Sequence, residues 1–322
     1  MRTGLIVFAV VCVLGSWIVG AGAYLAKDSM GQFAGLLAMP MVVIPFIMAF
    51  IAHRITRATG NPFRGLGWGN TSWYFATWIL GLLAGAIIIA ITLGIGLAGF
   101  DASMGDYIDM IKTQSEARGQ PIPAEAESAL SITGYATAIA GPLIGPWLGA
   151  LMGCLSVFPW FGWFGRRLLV YGRQQTVLIL MLLFGLSSIA GGLVENPAWI
   201  DTSVTMRMVV TAIAGLAMVP AMLWIFLRTR SAVVTSLAQA SYTSAFAGIM
   251  PFMSGANPIF APPGGLIVAF GSLLVGIALW VWKDPGGKDL AVAAVAFDGT
   301  PLTPEQLAEV NNDAQGYNAP LV

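Results

Sequence analysis

Eight apolar runs set the pattern of this chain, each close to the roughly 20 residues that a helix needs to cross about 30 Å of hydrocarbon. They cover residues 4–26, 31–53, 73–99, 134–158, 176–193, 205–227, 231–250 and 262–282. Polar residues gather between the runs rather than alternating within them. The pattern predicts an all-α fold: a polytopic membrane bundle of about eight transmembrane helices. Arg2 precedes an apolar core ending in Ala21-Gly22-Ala23, which also has the small-x-small form of a secretory signal. That run exceeds a usual signal core, so it reads as a retained helix.

Charge then orients the bundle, because Lys and Arg concentrate in loops that stay in the cytoplasm. An even number of spans puts both termini on one side. With the N-terminus cytoplasmic, that side holds Arg2, Arg54, Arg57, Arg64, Arg166, Arg167, Arg173, Arg228, Arg230, Lys283 and Lys288. The outer side holds only Lys27, Lys112, Arg118 and Arg207. Trp68, Trp73, Trp163 and Trp282 lie near run ends, as an interfacial aromatic belt would. Composition agrees with lipid as the solvent: 57% of residues are hydrophobic and 9% charged, against about 25% charged in soluble domains. The net charge of zero and the lack of a basic tract leave no footprint for nucleic acid.

The chain divides into four parts. Residues 1–133 hold three spans and an acidic outer loop, 100–133, in which 106–118 reads as a short helix. Residues 134–253 hold spans four to seven, 254–283 the eighth, and 284–322 a cytoplasmic tail. In the tail Thr303 is placed to cap a short helix over 303–310, and the composition beyond Asn311 suggests disorder.

Reactive side chains are scarce. The chain has one histidine, His53, and two cysteines, Cys12 and Cys154, too few for structural zinc, a two-histidine metalloprotease or a serine triad. No cofactor or metal is expected. His53, beside Arg54 at the end of the second run, reads as a solvated or interfacial histidine. Ionisable residues inside hydrocarbon mark function by default, and the runs hold almost none; Glu195 and Asp201 lie in the connection between spans five and six. The polar positions within the runs are neutral: Ser187, Ser188, Thr235, Gln239, Ser241, Thr243 and Ser244. Gln239 stands out, since its amide leaves two donors and an acceptor to be satisfied in an apolar setting.

Three stretches resemble the CPBP family of intramembrane proteases, which comprises CAAX proteases and bacteriocin-processing enzymes. Its first motif is an acidic pair separated by three residues from an Arg, in a Gly-Trp-Arg-Gly setting. The corresponding residues here run from Pro159-Trp160 through Phe161-Gly162-Trp163-Phe164-Gly165-Arg166. Pro159 and Trp160 fall on the two glutamates and Phe164 on the arginine. Its second motif, Phe-x-x-x-His, matches Phe184 to Ser188, with Ser188 on the histidine. Its third, His-x-x-x-Asn, matches Gln239 and Thr243 after Leu227-Arg228-Thr229. The order and the helix placement on spans four, five and seven also fit. In that family a glutamate activates water while histidines polarise the peptide or hold metal; none of the replacements here can take that proton near neutral pH.

The resemblance therefore implies a degenerate, non-catalytic member. Its expected role is binding: a scaffold for a membrane-protein partner through spans four to seven, or a site for a lipid or isoprenoid-like apolar ligand. By residue count Gln239 lies about 12 Å and Ser188 about 18 Å along their helices. Span four would have to continue to about Arg166 for Trp160 to reach the same depth, where Trp160 and Phe164 would fill the former catalytic space. Two alternatives remain: an active endopeptidase with displaced chemistry from a loop acid such as Glu195, or a small-molecule transporter with helix-breaking Pro142, Pro146, Pro220 and Pro251. Richness in Ala, Gly and Trp together with the resemblance point to a bacterial plasma membrane.

Overall fold

The computed structural model describes residues 2–30, 39–56, 61–117, 122–123, 126–194, 202–257, 259–262, 265–282, 302–303 and 305. The described chain is almost wholly helical: α1 (Arg2–Met30), α2 (Pro40–Ile55), α3 (Thr71–Gly94), α4 (Gly105–Ala117), α5 (Glu127–Val157), α6 (Arg166–Leu168), α7 (Arg173–Ser188), α8 (Val204–Thr229), α9 (Ala232–Ile249) and α10 (Leu266–Trp282). Two short strands, β1 (Gly99–Phe100) and β2 (Met253–Ser254), pair antiparallel with Gly99 opposite Ser254. Every apolar run contains a helix within its described residues. Five stretches, Thr3–Ala26, Thr71–Gly94, Ser128–Tyr171, Arg173–Leu193 and Val204–Thr229, are long and apolar enough to cross a bilayer; Pro40–Ile55 and Leu266–Trp282 are apolar but shorter. This is the architecture of a membrane helix bundle.

α9 departs from the expected lipid-facing span. It is 18 residues long and buries most of them, so protein rather than lipid surrounds it. Its surface is small-residue rather than greasy. Ser236, Ala240, Ser244 and Gly248 recur every fourth residue and meet Gly153, Gly149, Gly145 and Gly141 of α5 in antiparallel register. A methyl on Gly149 would lie 3.0 Å from the Ala240 Cβ, and one on Gly145 2.9 Å from Ser244 Oγ. On the other side Gly81 and Gly85 of α3 meet Ser241 and Ala245. Between helices in lipid the attraction comes from close van der Waals packing, which small residues permit.

Capping fixes how α9 enters. Arg230 takes the left-handed conformation (φ 54°) that ends α8. Ser231 then accepts from Val234 N at 3.1 Å and donates to Gly67 O at 2.6 Å. A second tie uses a proline's missing donor. Pro146 cannot bond the carbonyl one turn back, and Trp78 Nε1 of α3 donates to that carbonyl, Pro142 O, at 3.2 Å.

The helix expected over 106–118 is α4 in its described residues, and it packs against β2 and α5. Asp101 accepts from Ser103 Oγ (2.6 Å), Gly105 N (2.7 Å) and Ser103 N (2.8 Å). These bonds hold its carboxyl below the usual carboxylate range, the Ser103 hydroxyl contributing most. Asp106 accepts from Gly255 N at 2.8 Å, tying α4 to the residue that follows β2. Residues 31–38, Glu195, Asp201 and most of the tail helix expected over 303–310 lie outside the described residues. Leu302, within the tail, is buried in the main hydrophobic cluster.

Candidate functional site

The stretch matching the family's acidic motif is helical throughout, but not α-helical. α5 runs directly into a π-helical segment, Phe158–Gly165, and then into α6, so the fourth run does continue to Arg166. All eight π-helical residues are buried. The wider π turn brings aromatic side chains to the interior on several sides, and one backbone contact seats it. Gly162 lies against Gly65 of the 310 turn Pro62–Gly65, where a methyl on Gly65 would fall 2.5 Å from Gly162 Cα.

Trp160 is 1% exposed. Its ring lies 5.3 Å from Phe8, 6.0 Å from Phe164 and 5.9 Å from Phe184, all edge-on, an orientation that suits the ring quadrupoles. Phe8 of α1 also stacks on Phe164 at 5.0 Å. Pro159 is buried one residue before Trp160. One turn beyond Phe184, Ser188 Oγ donates to Phe184 O at 2.8 Å and packs against Gly215 of α8. Trp160, Phe164 and Phe184 thus share one ring cluster, with Pro159 beside it in the chain and Ser188 one helical turn beyond Phe184 against α8.

Two expectations at its edge change. Trp163 is buried, with its Nε1 lacking a hydrogen-bond partner, so it does not belong to an interfacial belt; Trp68 and Trp282 are well exposed. His53 is buried rather than solvated. Arg167 lies over the Trp163 ring (4.3 Å), donates to Trp163 O (2.9 Å) and approaches His53 Nδ1 (3.4 Å). Arg167 is itself buried, so the histidine packs against it inside the bundle, a contact invisible to residue counting.

Gln239 and Thr243 lie elsewhere. Thr243 is exposed and donates to its own helix, to Ala240 O at 3.1 Å and Gln239 O at 3.2 Å. Gln239 lines a cleft of about 390 Å³ between α3, α8, α9 and α10, which none of the aromatic motif residues lines. Trp73, Trp224 and Trp282 line one end of it, Ile87, Tyr242 and Ser272 the other. Its polar neighbours are already satisfied: Thr77 Oγ1 donates to Trp73 O (2.7 Å), Ser272 Oγ to Val268 O (2.7 Å) and Tyr242 OH to Val268 O (3.0 Å). The Gln239 side chain is part-buried and lines the open space of the cleft, and among the described residues no hydrogen bond from its amide is seen. Leu80, Leu83 and Ile87 line the cleft while more than half exposed, so it opens sideways.

The sequence singled out Gln239 but not the cleft, whose walls come from four helices far apart in the chain. Among the described residues no group of three His, Cys, Asp or Glu side chains is arranged to hold a metal ion. Comparison with known protein families, with characterised proteins and with solved structures finds no match to this chain.

Proposed function

We propose that this chain is a multi-pass protein of the bacterial plasma membrane, with eight spans and both ends cytoplasmic, that binds an apolar, lipid-like ligand within the bilayer. It resembles the CPBP intramembrane proteases in motif frame and works as a binding protein rather than a protease. The observation that carries the reading is the sideways-open cleft with one unspent amide, Gln239, in an apolar wall. Pockets of a few hundred Å³ with an apolar lining and few oriented polar groups are the usual form of small-molecule sites. An amide on such a wall offers two donors and an acceptor to a ligand's oxygen.

The aromatic filling around Trp160 supports the non-catalytic half of the reading. A water-activating carboxylate needs room for water and substrate, and Phe8, Phe164 and Phe184 occupy the space around that position. The orientation rests on the Lys and Arg distribution, and burial of Leu302 in the same cluster as Trp163 and Leu168 agrees with a tail returning to the Arg166 and Arg167 end.

Native mass spectrometry of protein purified in mild detergent tests the proposal. The expected result is a stoichiometric small apolar molecule and no cleavage of membrane-protein substrates. Protein carrying no small molecule overturns it, and a stoichiometric protein partner in its place moves the reading to a scaffold subunit.

A further inference from the structure

The cleft's chemistry narrows its ligand further, granted that it binds one. Among the described residues no charged side chain lines it, the Arg228 guanidinium lying over the Trp224 ring at its end, 5.7 Å away, so a phosphate or carboxylate head beside Gln239 would sit in an apolar wall without a counter-charge, at a desolvation cost of several kcal/mol. A hydrocarbon tail alone would leave the amide unpaired. The occupant must be neutral and must bring a hydrogen-bonding oxygen below the interface, because Gln239 lies about 12 Å along α9 from its cap at Ser231. The walls add a third condition. Trp73, Trp224 and Tyr242 border the cleft, and aromatic side chains pair with a further flat ring in offset-stacked or edge-on contact. The sideways opening at Leu80, Leu83 and Ile87 gives a long apolar tail a path into the bilayer.

We propose that the cleft binds a quinone-headed membrane lipid, with the Gln239 amide hydrogen-bonded to a ring oxygen. An amide suits both redox forms, donating to a quinone carbonyl or accepting from a quinol hydroxyl. A phospholipid brings ester oxygens below its head but fails the charge condition beside Gln239. A long-chain alcohol meets the charge and depth conditions but leaves the aromatic border unused.

The test uses the full chain in nanodiscs, titrated with a decyl-tailed benzoquinone and followed by quenching of tryptophan emission, with empty nanodiscs correcting for partition. Lipids extracted from the purified protein are identified in parallel. The expected result is saturable binding and a co-purified quinone. Gln239→Leu, which removes an unpartnered amide and should leave the fold at least as stable, should weaken binding by about tenfold or more. Ala84→Phe, which fills the cleft from α3, should abolish it. Equal affinity in wild type and Gln239→Leu overturns the proposal. Wild type that retains a neutral lipid without a quinone ring and shows no saturable quinone binding overturns the quinone assignment while preserving the ligand-binding reading. Protein that neither retains a lipid nor binds the quinone overturns both.

Discussion

Trp160→Ala should be among the most damaging single truncations in this protein, and its cost separates a packed aromatic plug from a loose remnant of a pocket. The side chain is 1% exposed, with three rings at 5.3 to 6.0 Å. In a bilayer the solvent is as apolar as the interior, so the usual water-transfer term drops out and the cavity remains. Truncation removes roughly 140 Å³ of side chain; at about 24 cal/mol per Å³ an unrelaxed cavity costs about 3.4 kcal/mol. Lost edge-on ring contacts, about 0.5 to 1.5 kcal/mol each, offset partial collapse of the cavity, so the expected loss is about 3 to 5 kcal/mol. The assay is reversible unfolding in mixed micelles, with Trp68→Ala, at a 79% exposed position, as the matched control, expected below about 1 kcal/mol. If the two variants lose similar stability, the region around Trp160 is not a plug, and the argument that packing has replaced chemistry there fails.

Gly65→Ala should destabilise by about 1 to 3 kcal/mol, because its methyl would meet the Gly162 backbone; a thermal midpoint in detergent unchanged from wild type would show that this contact does not seat the π segment. The Asp101 carboxyl is held below its ordinary range by Ser103 and Gly105. Its contribution is therefore present at neutral pH and is lost as pH falls through the folded-state value, with protection of α4 amides against hydrogen exchange decreasing first on the acid side and no such step in Asp101→Asn. Arg207 is buried on α8 with an unpartnered Nε. Arg207→Met should be neutral or stabilising by up to about 3 kcal/mol, and a clear loss in an unfolding titration would count against an uncompensated buried group.

The fold was legible in outline because lipid imposes a length on every helix that faces it. Run lengths located each helix, while α9 shows where that logic ends: a helix walled in by α3, α5 and α8 needs no greasy surface. Its signal is instead the four-residue recurrence at Gly141, Gly145, Gly149 and Gly153, matched by Ser236, Ala240, Ser244 and Gly248. That stripe is readable in the sequence, and it is what the apolar-run reading passed over. The site was less legible. A π segment at Phe158–Gly165 changes which faces Trp160, Trp163 and Phe164 present, and residue counting at α-helical pitch cannot anticipate that. Depth along the helices suggested one convergence of all the motif positions; packing instead divides them, with Gln239 on the far side of α8 residues that also border the plug.

Those shared residues are Met218 and Met222, which pack with the aromatic cluster and also line the cleft. Methionine suits such a wall because its unbranched thioether changes rotamer at little cost, so the cleft can adapt to an occupant while the rings behind it stay packed. Met222→Ala opens a void shared by both regions and should lower both stability and ligand retention, the stability loss being about 2 to 5 kcal/mol. Trp160→Ala opens its void on the plug side alone and should spare ligand affinity in protein that remains folded. A double-mutant cycle on unfolding free energy then reads the mechanical link: coupling of about 0.5 kcal/mol or more between Met222→Ala and Trp160→Ala places them in one packed unit. Additive losses, together with quinone affinity unchanged in Met222→Ala, would mean that the plug and the cleft are independent and that α8 merely separates them.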